Sequence, residues 1–336
     1  MLGVLLHPVL WHSHLFIRPR GPVAPSECLR GGTVMGVDDA DLELLLLIRH
    51  FERKLLELFE AGQLNGTTHT CLGQEYIPVA LRTLLAEADY VFSNHRGHGH
   101  YLARFNDPHG LLAEIMGREG AVCQGVGGSQ HILRGRYLST GVQGESMPVA
   151  VGTALHLKRE GSNNLAAVFL GDGTWGEGSV YEALNMASLW QVPLLVLVEN
   201  NGIAQSTPTG VQLAGSIAGR AAAFGVRHQL VRTQDLDEIR AELGPAVTRV
   251  RDTAEPLVVE FLTQRLGPHS KGDDTRPAEE VDLAAERDWY RRYAAEIPDR
   301  LGLCDIRQRE FVEQVVKEVA ARPLSTWDDR CLLPNV

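Results

Sequence analysis

Two apolar segments separated by a helix-length stretch constrain the fold of this chain more than any other feature. Residues 165–170 (LAAVFL) and 194–199 (LLVLVE) have almost no polar face, which is typical of strands buried on both sides in a parallel sheet. A helix is predicted between them, over residues 177–190, and parallel neighbours need such a crossover connection. The pattern therefore predicts a βαβ unit in an α/β protein. The helix positions expected to face inward are Ala183, Leu184, Ala187 and Trp190.

Further predicted elements extend the α/β pattern on both sides of this unit. Residues 257–262 (LVVEFL) form a third predicted buried strand, which follows a helix predicted over residues 236–251. Residues 38–64 are predicted to form a long amphipathic helix, because acidic side chains occupy its first turn and apolar residues recur at helical spacing. The remaining predicted elements are a strand over 89–93, a glycine-rich loop over 117–130, and helices over 147–159, 279–295 and 306–321.

Composition and charge exclude several classes of protein. The 336 residues carry a net charge of −10, and a surface this acidic argues against nucleic-acid binding as the main function. No apolar run approaches the roughly 18 residues that a membrane-spanning helix needs. The five cysteines are odd in number, scattered and without a CxxC pair, which fits a reducing cytoplasm and argues against a zinc site. We therefore expect a cytoplasmic protein with no membrane partner.

The sequence predicts three segments. Residues 1–36 are apolar at first but broken by Pro8, and Arg18 and Arg20 follow the apolar stretch, whereas a signal peptide has its positive charges before it. We interpret this segment as a disordered or spurious extension, with Met35 as an alternative start. Residues 37–275 are predicted to form the α/β domain, and residues 276–336 a helical C-terminal segment.

Polar residues follow the two strands of the βαβ unit. Asp172 comes after the first strand and Asn201 after the second, and open α/β sheets bind ligands beyond the carboxyl ends of their strands. Carboxylate and amide oxygens suit Mg²⁺, which completes its octahedron with phosphate and water. Gly171 and Gly173 allow a phosphate to approach the backbone at the start of a helix. The residue types predict a metal-bridged diphosphate. A nicotinamide dinucleotide fits poorly, because the second strand ends in Asn-Asn and not in an acidic residue.

The segment GDGTWGEGSVYEALNMASLWQVPLLVLVENN resembles the thiamine-diphosphate signature, in which GDG is followed by about 25–30 residues and NN. More narrowly, residues 40–275 are similar to the α subunit of the decarboxylating component of 2-oxo acid dehydrogenases, including pyruvate and acetoin dehydrogenase. The resemblance implies a thiamine-diphosphate-binding α/β fold, with a parallel sheet flanked by helices and a helical C-terminal tail. It also implies thiamine diphosphate and Mg²⁺ as cofactors.

The resemblance assigns roles to individual positions. Asp172, Asn201 and the backbone carbonyl of Ile203 match the magnesium ligands, and Gly173 and Thr174 belong to the same cofactor-binding turn. HTCLGQE places His69 on an active-site histidine, and GPHSKGDD places His269 on the catalytic histidine of a mobile loop. SNHRGHGH places Arg96 on a diphosphate-binding arginine, with His95 beside it in place of the family's usual tyrosine. The backbone groups of Gly141 and Gln143 match contacts to the aminopyrimidine ring. Three other histidines, His98, His100 and His131, are expected to be structural and not catalytic.

The resemblance also implies partners. In the family a glutamate from a separate β subunit contacts the aminopyrimidine, and no second half of that kind follows residue 275. We therefore expect two α and two β chains, with the cofactor at each α–β interface, and an oxidoreductase that is active only with the β subunit. Such an enzyme takes a small 2-oxo acid or acetoin and passes the acyl group to a lipoyl-bearing acyltransferase or carrier protein.

Several alternatives stay open from sequence. A split transketolase would move a two-carbon ketol between sugars, a pathway-specific enzyme would deliver a two-carbon unit to a carrier protein, and an assembly subunit would keep the fold without turnover. The intact Asp172, Asn201, His69 and His269 argue against the last of these. The substrate is undecided among pyruvate, acetoin, branched-chain 2-oxo acids and ketose phosphates. Ser270 lies where mitochondrial relatives are phosphorylated, and we do not extend that regulation to this chain.

Overall fold

The computed structural model of the protein describes residues 37–64, 66–270 and 274–326. The predicted extension over residues 1–36 lies outside these ranges. The helices of the described part are α1 (Asp39–Glu60), α2 (Tyr76–Leu81), α3 (His98–Phe105), α4 (Pro108–Met116), α5 (Ser146–Arg159), α6 (Gly178–Trp190), α7 (Thr209–Gln212), α8 (Ile217–Ala223), α9 (Leu236–Thr253), α10 (Ala278–Glu286), α11 (Trp289–Glu296) and α12 (Pro298–Ala320). The strands are β1 (Tyr90–Ser93), β2 (Leu133–Arg134), β3 (Tyr137–Ser139), β4 (Ala166–Gly171), β5 (Leu194–Asn200), β6 (Ile203–Ala204), β7 (Thr207–Pro208), β8 (Arg227–Val231) and β9 (Leu257–Leu262).

A seven-stranded sheet in the order β2-β3-β1-β4-β5-β9-β8 organises the described residues. All neighbouring strands are parallel except for the two-residue strand β2, which pairs antiparallel to β3 at one edge. The predicted βαβ unit is present as β4, α6 and β5, with β4 and β5 adjacent and parallel. The prediction of a parallel sheet flanked by helices is therefore confirmed.

Helices cover both faces of the sheet, because alternate strand residues enter two separate apolar cores. In β5, Leu195 and Leu197 pack into a core shared with α1, α2, α4, α9 and α12. Leu194 and Val196, on the opposite face of the same strand, pack into a second core with α5, α6 and α8. Successive side chains of a strand point to opposite faces, so a strand without polar positions is stable only between two such layers.

The register between β4 and β5 sets the position of the polar strand ends. Gly171 is paired with Glu199, so both strands end at nearly the same level of the sheet. Asp172 then starts a short 3-10 helix over Asp172–Gly176, and Asn201 follows β5 directly. The sequence places these two residues 29 positions apart, and the parallel pairing brings them to one edge.

Two local predictions are wrong. Trp190, predicted to face inward, is 38% exposed, because it is the last residue of α6 and the next residue turns the chain in the left-handed conformation. The other three predicted positions of that helix are fully buried. The single helix predicted over residues 279–295 is divided into α10 and α11. Asp288 adopts an extended conformation between them and forms a buried ion pair with Arg49 of α1, at 2.7 Å.

The C-terminal helices pack against the rest of the described chain. Val312, Val315 and Val319 of α12 enter the same core as α1 and α4. Arg49 is also held by Glu75, at 2.5 Å, so one buried guanidinium links α1, the segment before α2 and α11. Breaking one partner of such a buried network is costly, since the remaining charge stays out of water. Among the described residues, no helix combines the length and apolar character needed to cross a membrane.

Candidate active site

A cleft of about 420 Å³ opens at the carboxyl ends of the central strands. It is lined by segments that follow β1, β3, β4 and β5, where a ligand of an open α/β sheet is expected. Every residue that the sequence predicted for the site lines this cleft: His69, His95, Arg96, Gly141, Gln143, Asp172, Gly173, Thr174, Asn201, Ile203 and His269.

A larger cavity of about 580 Å³ lies elsewhere in the described chain, between α2, α3 and the strands β1 and β4. Its lining contains none of the predicted site residues. Of its three arginines, Arg104 and Arg136 donate to backbone carbonyls and Arg82 pairs with Asp41. The chemistry-bearing side chains are therefore concentrated in the smaller cleft, and size alone does not identify the site.

Asp172 is a buried carboxylate at the tip of β4. Burial raises its pKa above the ordinary value, and hydrogen bonds from Thr209 and from the backbone N–H groups of Asn201 and Gly173 offset only part of that effect. Among the described residues, no lysine, arginine or histidine forms an ion pair with it. A buried charge without a partner is costly, so this position favours a bound cation.

Asn201 and Ile203 add amide and carbonyl oxygen atoms to the cleft that Asp172 lines, and these are oxygen donors of the kind that Mg²⁺ prefers. Asn201 Oδ1 accepts from the backbone N–H of Ile203 at 3.2 Å, which folds the chain tightly around the tip of β5. Asn201 Nδ2 donates to Gln74 Oε1 at 3.3 Å, and the buried Gln74 Nε2 has no hydrogen-bond partner in the described part of the chain. No cluster of three His, Cys, Asp or Glu occurs among the described residues, so a metal here would rely on amide and carbonyl oxygens.

Gly173 is required by the close approach of two backbone segments. A Cβ at this position would lie 2.5 Å from the Cβ of Ala204 in β6, well inside van der Waals contact. The absence of a side chain lets the 3-10 helix after β4 pack against the β6–β7 hairpin. This packing brings β6, which contains Ile203, against the 3-10 helix that begins at Asp172.

Arg96 adds a positive charge to the lining of the cleft. Its side chain is only 3% exposed and donates to the backbone carbonyl of Thr70 at 2.6 Å and to His269 Nδ1 at 3.2 Å. Burial lowers the pKa of Arg96 to about 10, so the guanidinium stays charged at neutral pH. It has no carboxylate ion-pair partner among the described residues, which suits it to an anionic ligand such as a diphosphate.

Three imidazole rings form a cluster in the same cleft. The ring centroid of His69 lies 4.9 Å from that of His95 and 4.7 Å from that of His269. Gln143 Nε2 donates to His95 Nδ1 at 2.8 Å, and Thr174 donates to Gln143 Oε1 at 2.7 Å. Burial and then the charge of Arg96 hold the pKa of His95 well below its ordinary value of 6.5. The prediction for Gln143 concerned its backbone, and the structure adds a side-chain role.

Glu199 lines the cleft and was not selected from the sequence as a site residue. It is the last inward position of β5 and is 1% exposed. Its carboxylate accepts from Asn94 Nδ2 at 2.9 Å and pairs with His100 Nε2 at 3.0 Å. The available signal was an acidic residue at the end of an otherwise apolar strand, but its partners come from about 100 positions earlier in the chain.

The three histidines expected to be structural lie outside the cleft lining. His98 is fully buried and its Nδ1 is 3.0 Å from a carboxylate oxygen of Glu52 on α1. His100 is buried against Phe169, with ring centroids 3.7 Å apart. His131 is exposed at the surface. His98 therefore ties α3 to α1, whereas His100 ties α3 to the strands β1, β4 and β5.

The family profile described as "Dehydrogenase E1 component" matches residues 43–322. This range includes the cleft, nearly all of the two apolar cores and the helices α10 to α12. The chain belongs to the dehydrogenase E1 family. The resemblance seen in the sequence is therefore confirmed, and the match extends past residue 275 into the C-terminal helices.

Curated relatives of this E1 chain match it along most of its length. The α subunit of acetoin:2,6-dichlorophenolindophenol oxidoreductase from Bacillus subtilis (strain 168) is 35% identical over 284 residues, covering 81% of this chain and 85% of that protein. The α subunit of the pyruvate dehydrogenase E1 component from Rhizobium meliloti (strain 1021) is 32% identical over 302 residues, covering 87% and 86%.

A solved structure shares the fold of the E1 chain. Transketolase from Campylobacter jejuni subsp. jejuni NCTC 11168 superimposes with a TM-score of 0.53 at 19% sequence identity. The match covers 84% of this chain but 48% of the transketolase chain, so the E1 chain spans about half of that protein's length. At this identity the similarity establishes the fold alone.

Proposed function

We propose that this E1 chain is the catalytic α subunit of an oxidoreductase that uses thiamine diphosphate and Mg²⁺ to decarboxylate a 2-oxo acid or to cleave acetoin. The observation that carries the proposal is a pair of opposite charges in one cleft. Asp172 and Arg96 are both buried, and neither has an ion-pair partner among the described residues. A metal-bound diphosphate would satisfy both charges at once, because Asp172 would hold the cation and Arg96 would bind the phosphate oxygens.

The residues present fit the two cofactors. Asp172, Asn201 and the carbonyl of Ile203 would hold Mg²⁺, with phosphate oxygens and water completing its coordination. Arg96 would bind the diphosphate, and Gly173 and Thr174 would contribute backbone groups at the turn after β4. When bound, thiamine diphosphate supplies the addition to a carbonyl group and stabilises the resulting carbanion.

His69 and His269, whose ring centroids lie 4.7 Å apart in the cleft, are the candidates for proton transfer. His269 Nδ1 faces a guanidinium N–H of Arg96, which can only donate, so the neutral ring carries its proton on Nε2. A histidine in this state donates from Nε2 to an oxygen on which negative charge develops. His95, whose pKa is depressed, would contribute a neutral imidazole beside the cofactor.

Completion of the site by other proteins is part of the proposal. A β subunit would supply the glutamate that contacts the aminopyrimidine, opposite the backbone groups of Gly141 and Gln143. We expect two α and two β chains, transfer of the acyl group to a lipoyl-bearing carrier, and a cytoplasmic location. The three cysteines among the described residues are free thiols, in keeping with a reducing compartment.

Co-expression with a β-type chain tests the proposal. The purified complex should reduce an artificial electron acceptor with pyruvate, acetoin or a branched-chain 2-oxo acid, and should require both chains, thiamine diphosphate and Mg²⁺. Ketose phosphates in the same screen would reveal transketolase-like chemistry. Full turnover by this chain alone, or turnover without Mg²⁺, would contradict the assignment.

A further inference from the structure

We infer that Gln130 is a positioning residue, which fixes the tautomer of His69 and holds its ring neutral. The inference rests on the proposed function, in which His69 takes part in proton transfer. Gln130 does not line the cleft itself. It lies behind the ring of His69, on the loop between α4 and β2, and contacts the Nδ1 atom at 3.2 Å.

The orientation of the Gln130 amide follows from its other contacts. Its Nε2 lies 2.7 Å from Thr67 Oγ1 and 3.4 Å from the Thr67 carbonyl oxygen. A carbonyl only accepts, so the NH₂ group and not the amide oxygen faces this side. The second hydrogen of the same NH₂ is then directed to His69. The amide oxygen lies toward Gly141, where a Cβ would come within 2.0 Å of it, so Gly141 leaves room for this orientation.

This donor determines the protonation of His69. An imidazole nitrogen that accepts from an amide cannot itself carry a hydrogen, so the neutral His69 ring is protonated at Nε2. Protonation at Nδ1 would direct the imidazole N–H toward the N–H of Gln130, and the hydrogen bond between them would be lost. The rings of His95 and His269 lie beside His69, and the other titratable or charged groups that line the cleft or act on the neighbouring His95 are Arg96, Arg265, Asp172, Glu177 and Glu199.

The loop that carries Gln130 is itself fixed by a buried carboxylate. Glu114, 1% exposed at the end of α4, accepts from the backbone N–H groups of Cys123, Gly125, Gly127 and Gly128 at 2.6 to 3.3 Å. Ser129 Oγ lies 2.9 Å from His98 Nε2. The residue before Gln130 is thus tied to α3, so the amide reaches His69 from a rigid support.

Two substitutions separate positioning from mere packing. Gln130→Glu keeps the size of the side chain but replaces the donor with a carboxylate that favours a protonated Nδ1. Gln130→Met removes the donor and introduces no charge. The pKa of His69 should increase in the order wild type, Gln130→Met, Gln130→Glu, with the last at least about one pH unit above wild type.

Hydrogen–deuterium exchange at the imidazole C2 position, followed by mass spectrometry, measures this pKa in the full chain. Tryptic cleavage after Lys54 and Arg82 yields peptide 55–82, in which His69 is the only histidine. Peptide 105–118 provides the internal control, since its only histidine is the distant His109, whose pKa should not move. In the two-chain complex, the acid limb of kcat/KM should shift to higher pH in the same order.

Equal His69 pKa values in all three proteins would overturn the inference. A shift shared by His109 would also overturn it, because it would indicate a general structural change. The exchange measurement needs no cofactor and no turnover, so its result is separate from the proposed function. A chain that shows the expected pKa order but does not bind thiamine diphosphate would support the role of Gln130 and contradict the proposed function.

Discussion

Substitution of Gly173 by alanine tests how the cleft is built. The new Cβ would lie 2.5 Å from the Cβ of Ala204, whereas carbon atoms in contact normally lie about 3.5–4.0 Å apart. The β6–β7 hairpin must therefore move by about 1 Å. Overpacking of this kind typically costs about 1–3 kcal/mol. The movement also displaces the carbonyl of Ile203, so Mg²⁺-dependent binding of thiamine diphosphate should weaken as well.

Two controls isolate the clash from the loss of a glycine. Gly176 ends the same 3-10 helix, and a Cβ added there meets nothing within 4 Å, so Gly176→Ala should leave stability and cofactor affinity near wild type. Ala204→Gly removes the atom that Gly173→Ala would strike. The next atoms then lie 3.4 Å and 3.5 Å away, at Gln212 Nε2 and Ala204 Cα, which is ordinary contact.

The double variant makes the prediction quantitative. Ala204→Gly alone should cost up to about 1 kcal/mol through backbone entropy. Adding Gly173→Ala to it should cost little more, so the double-mutant cycle should give a favourable coupling of about 1–3 kcal/mol. Urea denaturation and calorimetric titration of the purified protein supply both readouts. Equal effects of Gly173→Ala and Gly176→Ala, or strictly additive costs, would refute the steric argument.

Three further predictions concern the charged and titrating groups. Asp172→Ala should abolish the Mg²⁺-dependent part of cofactor binding, and undiminished affinity by calorimetry would remove Asp172 from the metal site. His269→Ala should keep the cofactor bound but slow acyl transfer, whereas unchanged turnover of the complex would remove His269 from the mechanism. The pKa of His95 is depressed in the folded chain, so its stabilising contribution is fully present above pH 6.5, its ordinary value, and decreases as the pH falls toward the folded value. His95→Gln should therefore flatten the loss of unfolding free energy below pH 6.5, and an unchanged slope in urea denaturation would show that His95 is not the titrating group.

Much of the fold was predictable because it depends on local pattern. The strands β4, β5 and β9 are apolar except for Glu199 and Asn200 at the end of β5 and Glu260 in β9, and a doubly covered parallel sheet buries such segments. The division of α10 from α11 was not predictable, because Asp288 pairs with Arg49, 239 positions earlier. A helix boundary that depends on so distant a partner cannot be predicted from the local spacing of apolar residues.

The site shows the same contrast. Asp172, Asn201 and Arg96 were predicted from motifs, because each lies in a short segment whose residue types indicate what the segment can bind. Glu199 and Gln130 were not selected, because their roles depend on partners that only the folded chain provides: His100 and Asn94 for the first, and His69 and Thr67 for the second.

The sequence by itself determined the class of fold, the family and the groups able to bind a metal-bridged diphosphate. These features depend on residues that are close together in the sequence, because such residues decide which strands are buried and which side chains follow them. The tertiary structure alone decided which nitrogen of each clustered imidazole carries its proton and which buried charges stay without an ion-pair partner among the described residues. Those properties depend on the direction and distance of donors from remote segments, and only the packed chain fixes them.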